Sequence, residues 1–190
     1  MSTVREKLIE ATFEEVFTKG YKAASLANIL NRAEVKKGAM YHYFSSKKEM
    51  VLAMIKEQQQ KRIEKKWQPL IDEENDTILV LTSILQDTKS WDLTNGCAFG
   101  NLMQESFDQD EDFALVLEEI LLAWKNLFIT SLNKAQENNQ LNKNTNIEQC
   151  ATFIIATLEG AILLSKKSKD TKNYEDCMAQ LTVYLNSLRK

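Results

Sequence analysis

Lys36-Lys37-Gly38-Ala39-Met40-Tyr41-His42 is the stretch of this 190-residue chain with the most chemistry to offer. Two cations open it, Gly38 and Ala39 leave almost no side-chain bulk, and Tyr41 and His42 add donors. A helix with that face can lie close in the major groove of a duplex. Lys36 and Lys37 then reach base edges or phosphates, and Tyr41 and His42 donate to phosphates or touch thymine methyls. Lys47, at the next helix start, combines a cation with free backbone N–H groups, which suits a phosphate oxygen, and Ser25 offers the same at an earlier start. Tyr43 and Phe44 read as core aromatics. Catalytic chemistry has far less to stand on. His42 is the only histidine, which removes His-based zinc sites and leaves Ser–His or Cys–His catalysis to that residue alone. Cys97, Cys150 and Cys177 are far apart and form no CxxC pair, so neither a disulfide framework nor a zinc ribbon is indicated. No glycine-rich run is present to hold phosphates. The expectation is a protein without catalytic residues, metal or cofactor.

These residues need a scaffold, and the composition points to helices. One proline, Pro69, and five glycines punctuate the whole length. No window approaches the ~18 unbroken apolar residues of a membrane span, and the start has no apolar signal region, so a cytoplasmic protein without a membrane partner is expected. Residues 1–66 hold 14 Lys and Arg against 8 Asp and Glu, while residues 67–190 hold 10 against 19. A basic third on an acidic remainder indicates that one part faces a polyanion.

Thr3-Val4-Arg5-Glu6 fits a capping box, and Leu8, Ile9, Thr12, Phe13, Val16 and Phe17 then recur at helical spacing up to Lys19-Gly20. A short second helix turns Leu26, Ile29, Leu30 and Ala33 inward, and an interruption near Glu34 leads to a third from about Lys36 to Tyr43. Ser46-Lys47-Lys48-Glu49 is a second capping box opening a long helix towards Lys66. Three short helices with a tight second-to-third turn make a helix-turn-helix unit. Beyond it, residues 67–76 read as a helix bend or linker. Helices are expected over 78–91, from the 94–101 turn through Phe107, and over 110–138. After a polar loop at 137–146, a capping box at Thr145-Asn146-Ile147-Glu148 opens an apolar helix to Ser165, and a last helix starts at Asp170 or Thr171. The reading is an all-α chain of about nine helices: a DNA-binding domain over 1–48, a linking helix over 46–66, and a larger helical domain over 49–190.

The segment from Gly20 to Met50 resembles the DNA-binding signature of TetR/AcrR repressors. Gly20-Tyr21, Ser25, Ile29, Ala33, Val35, Lys37-Gly38 and Lys47-Lys48-Glu49 stand at that family's offsets. Tyr41-His42-Tyr43-Phe44-Ser45-Ser46-Lys47 matches its closing Y-x-[HY]-F-x-[SN]-K pattern. Three positions depart from it. Ala24 replaces the usual threonine before Ser25, Glu34 replaces the glycine of the turn and makes a left-handed residue costlier, and Lys36 replaces an N-capping serine with a cation.

The resemblance implies a homodimer that places two recognition helices in successive major grooves of a palindromic operator, with the last two helices of each subunit forming a four-helix interface. Phe153, Ile154, Leu158, Gly160, Ala161, Leu164, Tyr184 and Leu188 are the candidates, with monomer core as the competing reading. The larger domain is expected to sense an effector. Trp67, Trp91, Phe99, Met103, Phe107, Trp124 and Phe128 are available to line an apolar pocket, and Asn101, Gln104 and Glu159 to orient a ligand. Cys97 offers another trigger, because Asn95-Gly96-Cys97-Ala98-Phe99-Gly100-Asn101-Leu102 resembles a stretch in family members that respond to electrophiles or oxidants. A small buried residue at a packing point is the plainer reading of Cys97. An activator or nucleoid-associated binder without an effector stays open, as does a helical binding protein or enzyme whose basic end does not act on DNA.

Overall fold

The computed structural model describes residues 2–71, 76–107, 110–168 and 170–190. Its helices are α1 (Val4–Lys19), α2 (Leu26–Ala33), α3 (Lys37–Met40), α4 (Lys47–Met54), α5 (Gln60–Trp67), α6 (Thr77–Gln86), α7 (Ala98–Ser106), α8 (Glu111–Glu137), α9 (Ile147–Ser165) and α10 (Lys172–Ser187). A π-helical stretch, Ile55–Gln59, joins α4 to α5. The run Lys47–Trp67 therefore counts as one helix, and the described residues hold nine helices and no strand. The chain divides into two compact units: residues up to Ile63 with Ala98–Ile120, and Glu64–Cys97 with Leu121–Lys190.

Side-chain caps set most of the helix starts. Thr3 and Glu6 close the expected capping box on α1. Ser46 accepts the Glu49 N–H, but the Glu49 carboxylate takes the Ser45 N–H at 2.6 Å, one residue earlier than a capping box requires. α9 is capped by Asn146 rather than by the expected Thr145, through the Gln149 N–H at 3.1 Å. α10 follows Thr171, whose hydroxyl bonds to Glu175 at 2.5 Å instead of capping the backbone.

In the first unit, Leu8, Ile9, Phe13 and Val16 of α1, Ile29 and Ala33 of α2, Met40, Phe44, and Met50, Val51 and Met54 of α4 are all buried. The compact unit thus continues past residue 48, because α4 supplies much of its core. It also takes in α7 and the start of α8, where Phe99, Leu102, Phe113, Val116, Leu117 and Ile120 are buried. In the second unit, α10 packs on α9 and on α6. Arg189 forks onto Asp76, the N-cap of α6, at 2.7 and 3.0 Å, and that pair holds the Asp76 carboxyl below its usual range. α9 is long and apolar enough by composition to cross a membrane, with mean hydropathy 1.5. Its Cys150, Ala151, Ile154, Leu158, Ala161 and Ile162 are instead packed inside the protein, as in a core helix.

The helix expected over 78–91 stops at Gln86, and Thr88–Ser90 is a separate 3-10 turn. Of the expected linker, Gln68–Leu70 forms a 3-10 turn around Pro69, whose ring cannot continue the α-helical hydrogen bonding. Residues 72–75 lie outside the described residues.

Glu34 adopts the left-handed conformation, φ 57° and ψ 38°, at the turn where glycine was expected to be easier. A side chain there costs about 1–2 kcal/mol, part of which glycine gives back as unfolded-chain entropy. Glu34→Gly is expected to raise the melting temperature by about 2 °C, read by thermal circular dichroism; an unchanged or lower midpoint contradicts the assignment of strain to this turn.

Candidate nucleic-acid interface

The exposed end of the first unit begins at Ser25, the N-cap of α2. Its own N–H and the Asn28 side-chain amide both donate to Oε1 of Glu15, at 3.2 and 2.9 Å. The bond from Asn28 outweighs desolvation and, with that from Ser25, holds the Glu15 carboxyl below its usual range. A buried anion on α1 thereby fixes the first turn of α2. Five residues after the left-handed turn at Glu34, Ala39 and Met40 anchor α3, with Met40 fully buried.

Lys36, Lys37 and Gly38 are exposed, and a Cβ built on Gly38 would meet nothing within 4 Å. Gly38 therefore serves no internal packing, and its missing side chain leaves open space on the outer face of α3. The Lys37 ammonium lies 5.9 Å from the Tyr41 ring, and Tyr41 is 53% exposed with His42 exposed beside it. α3 is shorter than expected, ending at Met40, and residues 41–43 form a turn through bonds such as Tyr43 N–H to Met40 O at 2.9 Å. That turn swings Tyr43 outward. Only Phe44 is a core aromatic as expected; Tyr43 is 44% exposed and joins Tyr41 on the surface.

Lys47 stands at the first position of α4, but its ammonium points into the unit. It donates to the carbonyls of Tyr21 and Ala24 at 2.8 and 2.9 Å and sits 4.6 Å from the Tyr21 ring. Lys48 pairs with Asp110 and Asp112, both at 2.7 Å, and its pKa is raised by those bonds. Glu105 of α7 accepts the backbone N–H groups of Tyr21 and Lys22 at 2.7 and 2.8 Å. The sequence carries no sign of the roles of Glu15, Glu105, Asp110 and Asp112, and it places Lys48 in a motif without showing its ion pairs. Their partners are too distant in sequence for any spacing rule, and the only trace was Gly20, whose φ of 81° permits the turn they hold.

The residues proposed for an effector pocket fall into both units. Phe99, Asn101, Met103, Gln104 and Phe107 belong to the first; Phe99 is buried and Gln104 exposed. The crevice between α1 and α7, lined by Phe13, Val16, Phe17, Asn101 and Leu102, is only about 10 Å³, room for about one water. Trp67, Trp124 and Phe128 belong to the second unit and pack on one another, with Trp67 and Phe128 edge to face at 4.7 Å. Trp91 and Tyr174 extend this cluster, Lys66 lies 4.0 Å from the Trp91 ring, and the Tyr174 hydroxyl donates to Leu85 O at 2.7 Å.

Also in the second unit, Cys97 is half-buried and hydrogen-bonds to the Glu159 side chain. Burial pushes the Glu159 carboxyl up, against the lowering effect of Cys97, and its Oε1 is buried without a hydrogen-bond partner. Cys150 is fully buried and its thiol is raised by desolvation. Cys177 is half-buried. Of the residues proposed for a dimer interface, Ile154, Leu158 and Ala161 are at most 1% exposed, so they fill the protomer's own core. Phe153 and Leu164 are exposed, Gly160 has nothing within 4 Å of a built Cβ, and Tyr184 and Leu188 are half-buried. Leu163 and Val183 add exposed apolar surface, and Phe153 meets Tyr184 edge to face at 4.9 Å.

Residues 8–54 match the family model of bacterial regulatory proteins of the tetR family, and residues 80–181 match the tetracyclin repressor-like C-terminal domain. An uncharacterized HTH-type transcriptional regulator of Lactococcus lactis is 30% identical over 182 residues, covering 90% of this chain and 87% of that protein. The HTH-type transcriptional repressor NemR of Escherichia coli is 26% identical over 181 residues, covering 93% and 91%. The crystal structure of NemR in its reduced form superposes with a TM-score of 0.82 at 25% identity, over 98% of this chain and 97% of that one. The protein belongs to the TetR family of helix-turn-helix transcriptional regulators, which are DNA-binding proteins and not enzymes.

Proposed function

We propose that this protein is a cytoplasmic repressor that binds a palindromic operator as a homodimer and releases it when its second unit takes up a small effector or is modified at Cys97. The observation that carries the DNA-contact surface is the outer face of α3, with Lys36, Lys37 and Gly38 exposed beside Tyr41 and His42, and no internal packing role for Gly38. Ser25 and Ala39 flank it, and Lys47 contributes by bracing the turn ahead of Ser25. On duplex DNA from the protein's own promoter region, Lys37→Ala and Tyr41→Ala are expected to weaken retardation. Loss of the Lys37 charge should reduce the slope of log affinity against log salt by about 1. Unaltered binding by both variants would put the contact surface elsewhere.

The second copy is assigned to the α9–α10 face bearing Phe153, Gly160, Leu164 and Val183. Phe153, Leu164 and Val183 are exposed on adjacent packed helices, and the open space at the half-buried Gly160 lets another helix approach closely. Leu164→Glu is expected to convert the dimer into a folded monomer in sedimentation, with operator binding lost alongside. A dimer that survives this charge would move the interface off α9.

An effector must bind the DNA-incompetent state better than the DNA-bound one. The Trp67–Trp124–Phe128 cluster suits an apolar or aromatic compound, and Glu159 of the same unit offers a polar group, since a buried oxygen without a partner favours any ligand that brings a donor. Cys97 beside Glu159 supplies the thiol reading: addition of an electrophile to Cys97 removes the S–H that Glu159 accepts. Operator release by N-ethylmaleimide that is abolished in Cys97→Ser supports the thiol trigger, whereas release unaffected by that substitution would come from another cysteine and would rule out Cys97.

Glu159 also sets a pH dependence. Its folded pKa lies above its unfolded value, so the native state binds the proton more tightly and the destabilisation grows as pH rises. Glu159→Gln is therefore expected to melt higher than the unaltered protein at about pH 8, with the difference shrinking as pH falls towards about 4.3, the ordinary glutamate value. A difference independent of pH would contradict the burial of an ionisable Glu159.

A further inference from the structure

We propose that Glu105 is a positioning residue for operator binding: its carboxylate, gripped by the α1–α2 turn, sets the placement of Ser25 and of the α3 face. This rests on the operator-binding reading above. The turn between α1 and α2 is held by opposite charges on its two sides. On the donor side, the consecutive N–H groups of Tyr21 and Lys22 each reach a different oxygen of Glu105, at 2.7 and 2.8 Å. On the acceptor side, the Lys47 ammonium takes the carbonyls of Tyr21 and Ala24. The peptide dipoles of Tyr21 thus lie between an anion from α7 and a cation from α4.

Gly20 is what allows the anion to come so close. It caps α1 at φ 81° and ψ 164°, and a Cβ there would stand 2.8 Å from the Glu105 Oε2. Neighbouring contacts act in the same sense. The Tyr21 ring meets Phe113 edge to face at 4.7 Å, and Lys48 is fastened to Asp110 and Asp112. Directly after the turn, Ala24 N–H returns to Gly20 O at 3.0 Å and Ser25 N–H goes to Glu15. There is little slack between the Glu105 carboxylate and the N-cap of α2, so a displacement of one is delivered to the other.

Electrostatics makes the proposal separable from a general effect. Removing an anion from a DNA-binding unit raises its net charge, which by itself strengthens attraction to any duplex. A positioning role gives the opposite sign on the operator. The experiment compares the unaltered dimer with Glu105→Gln on the operator and on an unrelated duplex by fluorescence anisotropy, and follows amide exchange at Tyr21 and Lys22. Glu105→Asp, which keeps the charge but shortens the reach, is the second variant. For Glu105→Gln, operator affinity is expected to fall about tenfold, binding to the unrelated duplex to hold or rise, and exchange at both amides to quicken. Glu105→Asp, with its charge retained, should recover part of the loss. Quickened exchange with unchanged operator affinity would reduce Glu105 to a brace of the fold and overturn the proposal. An equal loss on both duplexes would overturn it as well. Absence of operator binding by the unaltered protein would instead remove the reading on which it rests.

Discussion

A helix of four residues has no stability of its own. Lys37–Met40 is a single turn, far short of the ~12–15 residues at which an isolated helix becomes marginal in water. Everything that α3 presents to a partner is therefore held by something else. Met40 and Phe44 anchor its inner side in the core of α1, α2 and α4, and the left-handed Glu34 sets the angle at which the chain enters it. The turn at 41–43 takes over where the helix ends. A longer helix would carry its own geometry; this one borrows it, so small shifts in the surrounding elements reach its outer face directly.

That dependence explains which parts of the protein were legible in its sequence. Local signals read well, because they act within a few residues: the Thr3–Glu6 box, the stop at Gly20 and the left-handed Glu34 are all where spacing and residue type put them. Signals that needed the third dimension did not. Tyr43 looks like a core aromatic in a helical repeat, but α3 stops three residues earlier and the period no longer applies. Lys47 looks like a phosphate ligand because a cation at a helix start usually faces solvent. Two unsatisfied carbonyls across the unit claim it instead. Along α9 the sequence offered a strongly apolar helix and could not divide its apolar residues. Burial separates Ile154, Leu158 and Ala161, which face inward, from Phe153 and Leu164, which do not.

The charge reading shows the same limit in a more consequential form. Along the chain, a basic stretch precedes an acidic one, as if the DNA-binding part were simply the positive part. Folding does not keep that partition. Residues 1–63 carry 12 Lys and Arg against 7 Asp and Glu, but residues 98–120 bring seven acids and no base into the same compact unit, leaving it two charges negative. Attraction to DNA cannot then follow from the unit's net charge and has to follow from where the charges sit. Three of those acids have partners within the unit: Glu105 accepts two backbone N–H groups, and Asp110 and Asp112 share Lys48. Lys36 and Lys37 remain exposed on α3. Glu105 is instead used to hold the turn ahead of Ser25, so an acid that lowers the unit's total charge also orders the segment that leads to α2 and α3. Any change that frees the Glu105 carboxylate loosens that turn and bares a negative charge on the unit at once.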